Sequence, residues 1–80
     1  MSNSFSWWLV QAIGGRNILS PIGTDREIAI IDAKGEWDHL SEPEKNKRDE
    51  FYLVLVRDNE DGTLDIKSGE EYIDIKKEMA

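Results

Sequence analysis

The stretch that most constrains the fold is Glu50-Phe51-Tyr52-Leu53-Val54-Leu55-Val56-Arg57-Asp58. Aromatic, aliphatic and β-branched residues occupy both of its alternating faces, which predicts a strand covered on each side rather than one with a wet face. A chain of 80 residues has to supply that cover from one compact core. At this length only roughly 60% of the unfolded surface is buried, and no material is left for a second domain. The expectation is a single domain over residues 1–80.

On the C-terminal side, Asn59-Glu60-Asp61-Gly62 is a turn cluster, and Thr63-Leu64-Asp65-Ile66-Lys67 alternates polar with apolar. After Lys67-Ser68-Gly69-Glu70 turns the chain again, Tyr72-Ile73-Asp74-Ile75-Lys76 places Ile73 and Ile75 on one face. The pattern predicts three antiparallel strands in meander order. On the N-terminal side, residues 27–32 (Glu-Ile-Ala-Ile-Ile-Asp) read as a further strand ended by Lys34-Gly35, with Pro21 and Gly23 breaking the chain before it.

The opening stretch fits two conformations. Phe5, Trp8, Leu9, Ala12 and Ile13 lie on a helical stripe with Ser4 as cap and Gly14 as stop. Bulky or branched Trp7, Trp8 and Val10 favour a strand, and Gly14-Gly15 then serves as a hairpin turn into Asn17-Ile18-Leu19. Between the two halves, Ser41-Glu42-Pro43-Glu44 has the form of a capping box with Pro in the first turn. It predicts a short polar helix or loop connector near residues 41–50, with Trp37 and Leu40 pinning its start.

The net charge of −7 is uneven: residues 1–35 hold three basic and three acidic side chains, and residues 36–80 hold seven basic and fourteen acidic. Counterion release rewards cationic surfaces, so direct nucleic-acid binding is disfavoured, and the same field favours a basic protein or peptide partner. The absence of cysteine removes disulfides, thiolate metal sites and cysteine nucleophiles. No apolar run approaches the ~20 residues of a membrane span and no basic leader precedes one, so the expectation is a cytoplasmic protein with no membrane partner.

Taken in the order second half then first half, the segments resemble a Src-homology-3 (SH3) domain. Residues 50–58 stand where that family has its A-L-Y-D-Y strand, and Leu64-Asp65-Ile66-Lys67-Ser68-Gly69-Glu70 is similar to its E-L-S-F-K-K-G-D stretch. Trp7-Trp8-Leu9-Val10 matches the double tryptophan, residues 15–21 match the run to the groove proline, and residues 27–32 take the place of the closing strand. The resemblance covers about fifty residues by this matching. It implies an all-β fold, a small five-stranded barrel in circularly permuted order, as a monomer or a segment-swapped dimer.

The family binds proline-rich peptides between aromatic rings, with acidic residues pairing to a basic ligand residue. Carried over residue by residue, this implies a ligand-binding set of Trp7, Pro21, Val56, Asp58, Glu60 and Asp61. Val56 and Asp58 stand where the family has tyrosines, and Thr24 lies near a third, so the implied groove is altered.

No catalytic constellation accompanies these residues. His39, the single histidine, sits between Asp38 and Leu40, a loop setting in which a histidine is seldom a metal ligand. Asp58-Asn59-Glu60-Asp61-Gly62 fails as a calcium loop, because Arg57 and Ser68 would fall on its first and last ligand positions. The reading is of a non-enzymatic module without cofactor or metal. Tyr52 and Tyr72 read as sheet cover, with contact from the polar face as the lesser alternative for Tyr72. Two functions follow: binding of a basic or proline-containing segment, or an acidic inhibitor that mimics nucleic acid. The second draws on residues 58–74, where seven acidic side chains face one lysine.

Overall fold

A computed structural model describes residues 5–57 and 69–79. The elements run β1 (Phe5–Ile13), β2 (Arg16–Gly23), α1 (Arg26–Asp38), α2 (Glu42–Lys47), β3 (Arg48–Arg57), β4 (Glu71–Asp74) and α3 (Ile75–Met79). The strands form one antiparallel sheet in the order β2-β1-β3-β4. β2 and β4 are its edges, so among the described residues the sheet has four strands and stays open. The five-stranded closed barrel is not what these residues form.

β1 settles the opening stretch as a strand. Gly14 and Gly15 carry φ of 56° and 82°, the left-handed pair that a two-residue hairpin turn needs to match the twist of its strands. Ile13 then pairs with Arg16, and the ladder runs back to Trp8 opposite Pro21 before the register slips. Neighbouring residues of a strand point to opposite faces, so Trp7 and Trp8 part company. β3 pairs along the whole of β1, with Leu9 opposite Leu53.

The double-sided cover anticipated for residues 51–56 is present as two apolar clusters. On one face Trp7, Leu9, Phe51, Leu53 and Ile73 meet Ala29, Ala33 and Trp37 of α1 and Ile75 of α3. On the other, Val10, Val54 and Val56 are buried, with Trp8 and Tyr52 packed against them. Each fully buried Leu or Phe contributes about 1.5–3 kcal/mol over an exposed one, and Leu9, Phe51 and Leu53 supply such burial beside Trp7 and Ile75 in this layer.

Residues 27–32 form the first half of a helix, not the predicted strand. Asp25 caps it, accepting a hydrogen bond from the Ile28 N–H at 3.0 Å. The buried stripe is Ala29, Ala33 and Trp37; a strand would put Ile31 on the same face as Ala29 and Ala33, whereas a helix turns it away, and Ile31 is 68% exposed. Two alanines let the helix lie close on the sheet, and Trp37 meets Phe51 edge-on with ring centroids 5.1 Å apart. Gly35, taken from the sequence as a stop, lies inside α1. The cyclic match to the five-stranded barrel thereby loses its closing strand.

The connector is helical as its sequence indicates. Ser41 accepts from the Glu44 N–H at 3.4 Å, Pro43 sits in the first turn, and none of its residues is buried. Arg48 fixes it to the sheet, its guanidinium donating to Gln11 Oε1 (2.8 Å), the Glu44 carbonyl (2.8 Å) and Glu44 Oε2 (3.1 Å). The predicted last strand, residues 72–76, is cut short. Asp74 Oδ1 accepts the Lys77 N–H at 3.0 Å and turns the chain into α3, though Ile73 and Ile75 still share the core face. The predicted strand 63–67 lies outside the described residues, and β3 pairs directly with β4.

Candidate binding surface

Of the ligand set implied by the barrel, only Trp7, Pro21 and Val56 fall within the described residues, and Trp7 and Val56 are not brought together. Trp7 is 2% exposed and Val56 is fully buried, on opposite faces of the sheet. A ring that stacks on a ligand must offer solvent one of its faces, and Trp7 gives both to the core. Pro21 is exposed on β2 and shares a shallow cleft with Ile22, Ile31, Asp32 and Glu36. Asp58, Glu60 and Asp61 lie outside the described residues.

The surface itself is electrostatically one-sided. On α1, Arg26 forks onto Glu71 and Lys34 reaches Glu78 at 3.6 Å, so both cations are turned toward β4 and α3. Lys45, Lys47 and Arg48 are held by Glu42 or Glu44. The exposed carboxylates of Glu27, Asp32, Glu36 and Asp38 on the same helix make no ion pair among the described residues. Among the described residues, pairing engages every cation of α1 and α2 and leaves the carboxylates of Glu27, Asp32, Glu36 and Asp38 on α1 to solvent, while Arg16, Arg57, Lys76 and Lys77 elsewhere make no ion pair.

One place combines that charge with aromatic surface. Glu50 and Tyr52 of β3, and Tyr72 and Asp74 of β4, line a cleft of about 310 Å³. The ladder explains how: Tyr52 lies opposite Asp74 and Val54 opposite Tyr72, so the four side chains share the face that α1 does not cover. The two rings are 6.0 Å apart and inclined by 46°. Tyr52 is half-buried against the valine cluster, while Tyr72 is 51% exposed.

Hydrogen bonds fix two of its four side chains. The Gly69 N–H donates to the Tyr72 hydroxyl at 3.2 Å, tethering the ring by its tip. Asp74 commits Oδ1 to the Lys77 N–H. Glu50 has no hydrogen bond or ion pair among the described residues. Lys76, the nearest lysine in sequence to this face, is directed instead at the carbonyls of Arg48 (2.8 Å) and Asp49 (3.4 Å). Burial pushes the Tyr52 hydroxyl above its ordinary pKa, and the charge of Glu50 and the neighbouring Tyr72 push it further in the same direction.

Sequence reasoning read Tyr52 and Tyr72 as sheet cover, with contact only the lesser alternative for Tyr72, and passed over Glu50 and Asp74. The signal was the pair of patterns Glu50-x-Tyr52 and Tyr72-x-Asp74, each of which puts an acid and a tyrosine on one strand face. Among the described residues no group of three His, Cys, Asp or Glu side chains is placed to hold a metal, and no helix is long and apolar enough to cross a membrane. His39 caps the C-terminus of α1. Compared with known protein families, curated proteins and solved structures, the chain matches none.

Proposed function

We propose that this protein is a non-enzymatic binding module that receives a basic segment of a protein partner. The observation that supports it is the segregation of charge. Arg26, Lys34, Lys45, Lys47 and Arg48 are each engaged with a carboxylate of the same chain. Glu27, Asp32, Glu36, Asp38 and Glu50 are left outward without one. Complementary fields of this kind steer encounter and exclude like-charged partners. Calorimetric titration with an arginine- and lysine-rich peptide, and with a glutamate-rich peptide of equal length, tests the reading. Binding of the basic peptide alone, weakening as salt shortens the Debye length from ~30 Å at 0.01 M to ~8 Å at 0.15 M, is the expected result. No binding of the basic peptide at low salt overturns it.

A second reading has its own observation. The carboxylates of Glu27, Asp32, Glu36 and Asp38 lie along one helix, and acidic side chains so arrayed can stand in for backbone phosphates in the site of a nucleic-acid-binding protein. Competition against duplex DNA for a nonspecific DNA-binding protein separates the two, because a phosphate mimic displaces DNA whereas a peptide receptor leaves it bound.

A further inference from the structure

We infer that the cleft between α1 and β2 receives a short basic helix of a partner protein, one that seats aliphatic side chains on Ile31 and sets lysines or arginines against Asp32 and Glu36. The inference rests on the reading that the acidic surface takes a basic segment. It adds the place, the form of that segment and the apolar half of the contact.

The cleft is open, about 520 Å³, and is lined by Pro21 and Ile22 of β2 and by Ile31, Asp32, Gly35 and Glu36 of α1. Its apolar wall stands in water. Ile31 is 68% exposed, and Ile28, its neighbour one turn earlier on the helix surface, is 56% exposed. The carboxylates of Asp32 and Glu36 are exposed beside them, so apolar and anionic surface meet along one line.

Three features of this side of α1 are unfavourable for the free chain, and no contact among the described residues accounts for them. Two isoleucines are left in solvent. Asp32 and Glu36, four residues apart, set like charges on adjacent turns, while both cations of α1 are turned away to Glu71 and Glu78. Gly35 lies inside the helix, where glycine is among the least favourable residues. Its φ is not in the left-handed range, and an added methyl would meet nothing within 4 Å, so neither backbone geometry nor internal packing calls for it.

A basic amphipathic helix answers all three. The features recur in steps of three and four residues, from Ile28 through Ile31 and Asp32 to Gly35 and Glu36, and a helix laid along them presents its own side chains at that spacing. Its aliphatic groups take Ile31 out of water. Its cations come between the like charges of Asp32 and Glu36, and the absent side chain of Gly35 lets the two backbones approach closely. A basic segment without apolar groups would use the carboxylates alone and leave the isoleucines wet.

The probe is a helix-forming peptide of lysine, alanine and leucine, its leucines spaced four and three apart, titrated into the whole protein at low salt while backbone amide shifts are recorded. Three relatives of equal length accompany it: leucines replaced by glutamine, lysines replaced by glutamate, and the same composition with leucines two apart, a spacing that shares a face in a strand. Saturable shifts at Ile22, Ile31, Asp32, Gly35 and Glu36 are expected from the first peptide and none from the glutamate form. The glutamine and rearranged forms are expected to bind about tenfold more weakly, the scale of burying one aliphatic side chain. Ile31→Gln is expected to weaken the first peptide by about the same factor. Gly35→Gln moves two readouts in opposite directions: the denaturant midpoint rises, because glutamine is the better helix former, and peptide affinity falls, because the gap is filled.

Equal binding of the leucine and glutamine peptides, equal binding of the rearranged peptide, shifts confined to other surfaces, or undiminished binding by Gly35→Gln overturns the helix site while leaving the broader reading intact. If no basic peptide binds at low salt, the broader reading fails, and this site fails with it.

Discussion

Arg26 and Glu71, 45 residues apart, form a forked ion pair, Nε lying 3.3 and 3.1 Å from the two carboxylate oxygens and Nη2 2.7 Å from Oε2. It joins the first turn of α1 to β4, two elements that share no ladder. The hydrogen bonds and charge of Arg26 hold the Glu71 carboxyl below its ordinary pKa. A carboxylate depressed in the folded state adds stability above its unfolded pKa and loses it as pH falls through the folded value. Thermal melts of the wild type and Glu71→Gln are therefore expected to differ near neutrality and to converge in acid below the ordinary carboxylate range. The difference is small, because the pair is exposed to water. A gap that widens on acidification refutes the linkage.

The two adjacent tryptophans are not equivalent. Trp7→Ala empties a site in the main core and is expected to cost about 3–5 kcal/mol, a large share of the ~4–12 kcal/mol available to a domain of this size. Trp8, half-buried on the other face with its Nε1–H donating to Ser6 Oγ at 3.1 Å, is expected to cost clearly less on truncation to Ala. Urea unfolding followed by circular dichroism ranks them, and a reversed order contradicts the assignment of faces.

The helical state of residues 27–32 has a sharp mutational signature. Ile31 is 68% exposed although isoleucine is strongly apolar, and Ala33 is fully buried. In a strand those two positions share a face; in α1 they do not. Ile31→Lys is expected to change stability by no more than ~0.5 kcal/mol. Ala33→Lys drives a charge into the core cluster that holds Leu9 and Leu53 and is expected to unfold the domain or force the helix off the sheet. Denaturant midpoints of the pair decide between the two conformations.

Glycines in different settings fail for different reasons. At Gly15 a methyl group meets nothing within 4 Å, so Gly15→Ala carries only the conformational cost of φ 82°, about 1–2 kcal/mol. At Gly69 the added methyl runs into Val54 Cγ2 and the Tyr72 ring. Gly69→Ala is expected to cost about 1–3 kcal/mol by overpacking and, unlike Gly15→Ala, to shift the amide resonances around Tyr52 and Tyr72.

What was legible in the sequence depended on how local the cause was. Residues 51–56 announce a two-faced strand because the apolar side chains alternate onto both sides within six residues. Ser41 and Glu44 announce α2 because capping is settled between residues three apart. Residues 27–32 mislead because Ile28-Ala29-Ile30-Ile31 is equally apolar in either conformation. What decides is which of these residues meets the sheet: Ala29, Ala33 and Trp37 do, across Gly35, while Ile28 and Ile31 of the same helix are left in solvent. The acid–tyrosine cleft was half legible: each strand puts its own pair on one face, but the pairing of Tyr52 with Asp74 is a tertiary event that neither strand encodes alone. The barrel expectation failed at its closing strand for the same reason that α1 was misread, and Trp7 went with it, because a helix lies where a groove would open.

β2 is an outer strand of eight residues, and such an edge invites a foreign strand to continue the sheet, the first step of cross-β growth. Pro21 stands in that edge with no N–H to donate, and next to it the register against β1 slips. An incoming chain would meet a gap in the donor row and a backbone bent out of line, conditions under which added strands do not propagate. The residue that sequence resemblance placed in a peptide groove thus serves to keep the sheet finite.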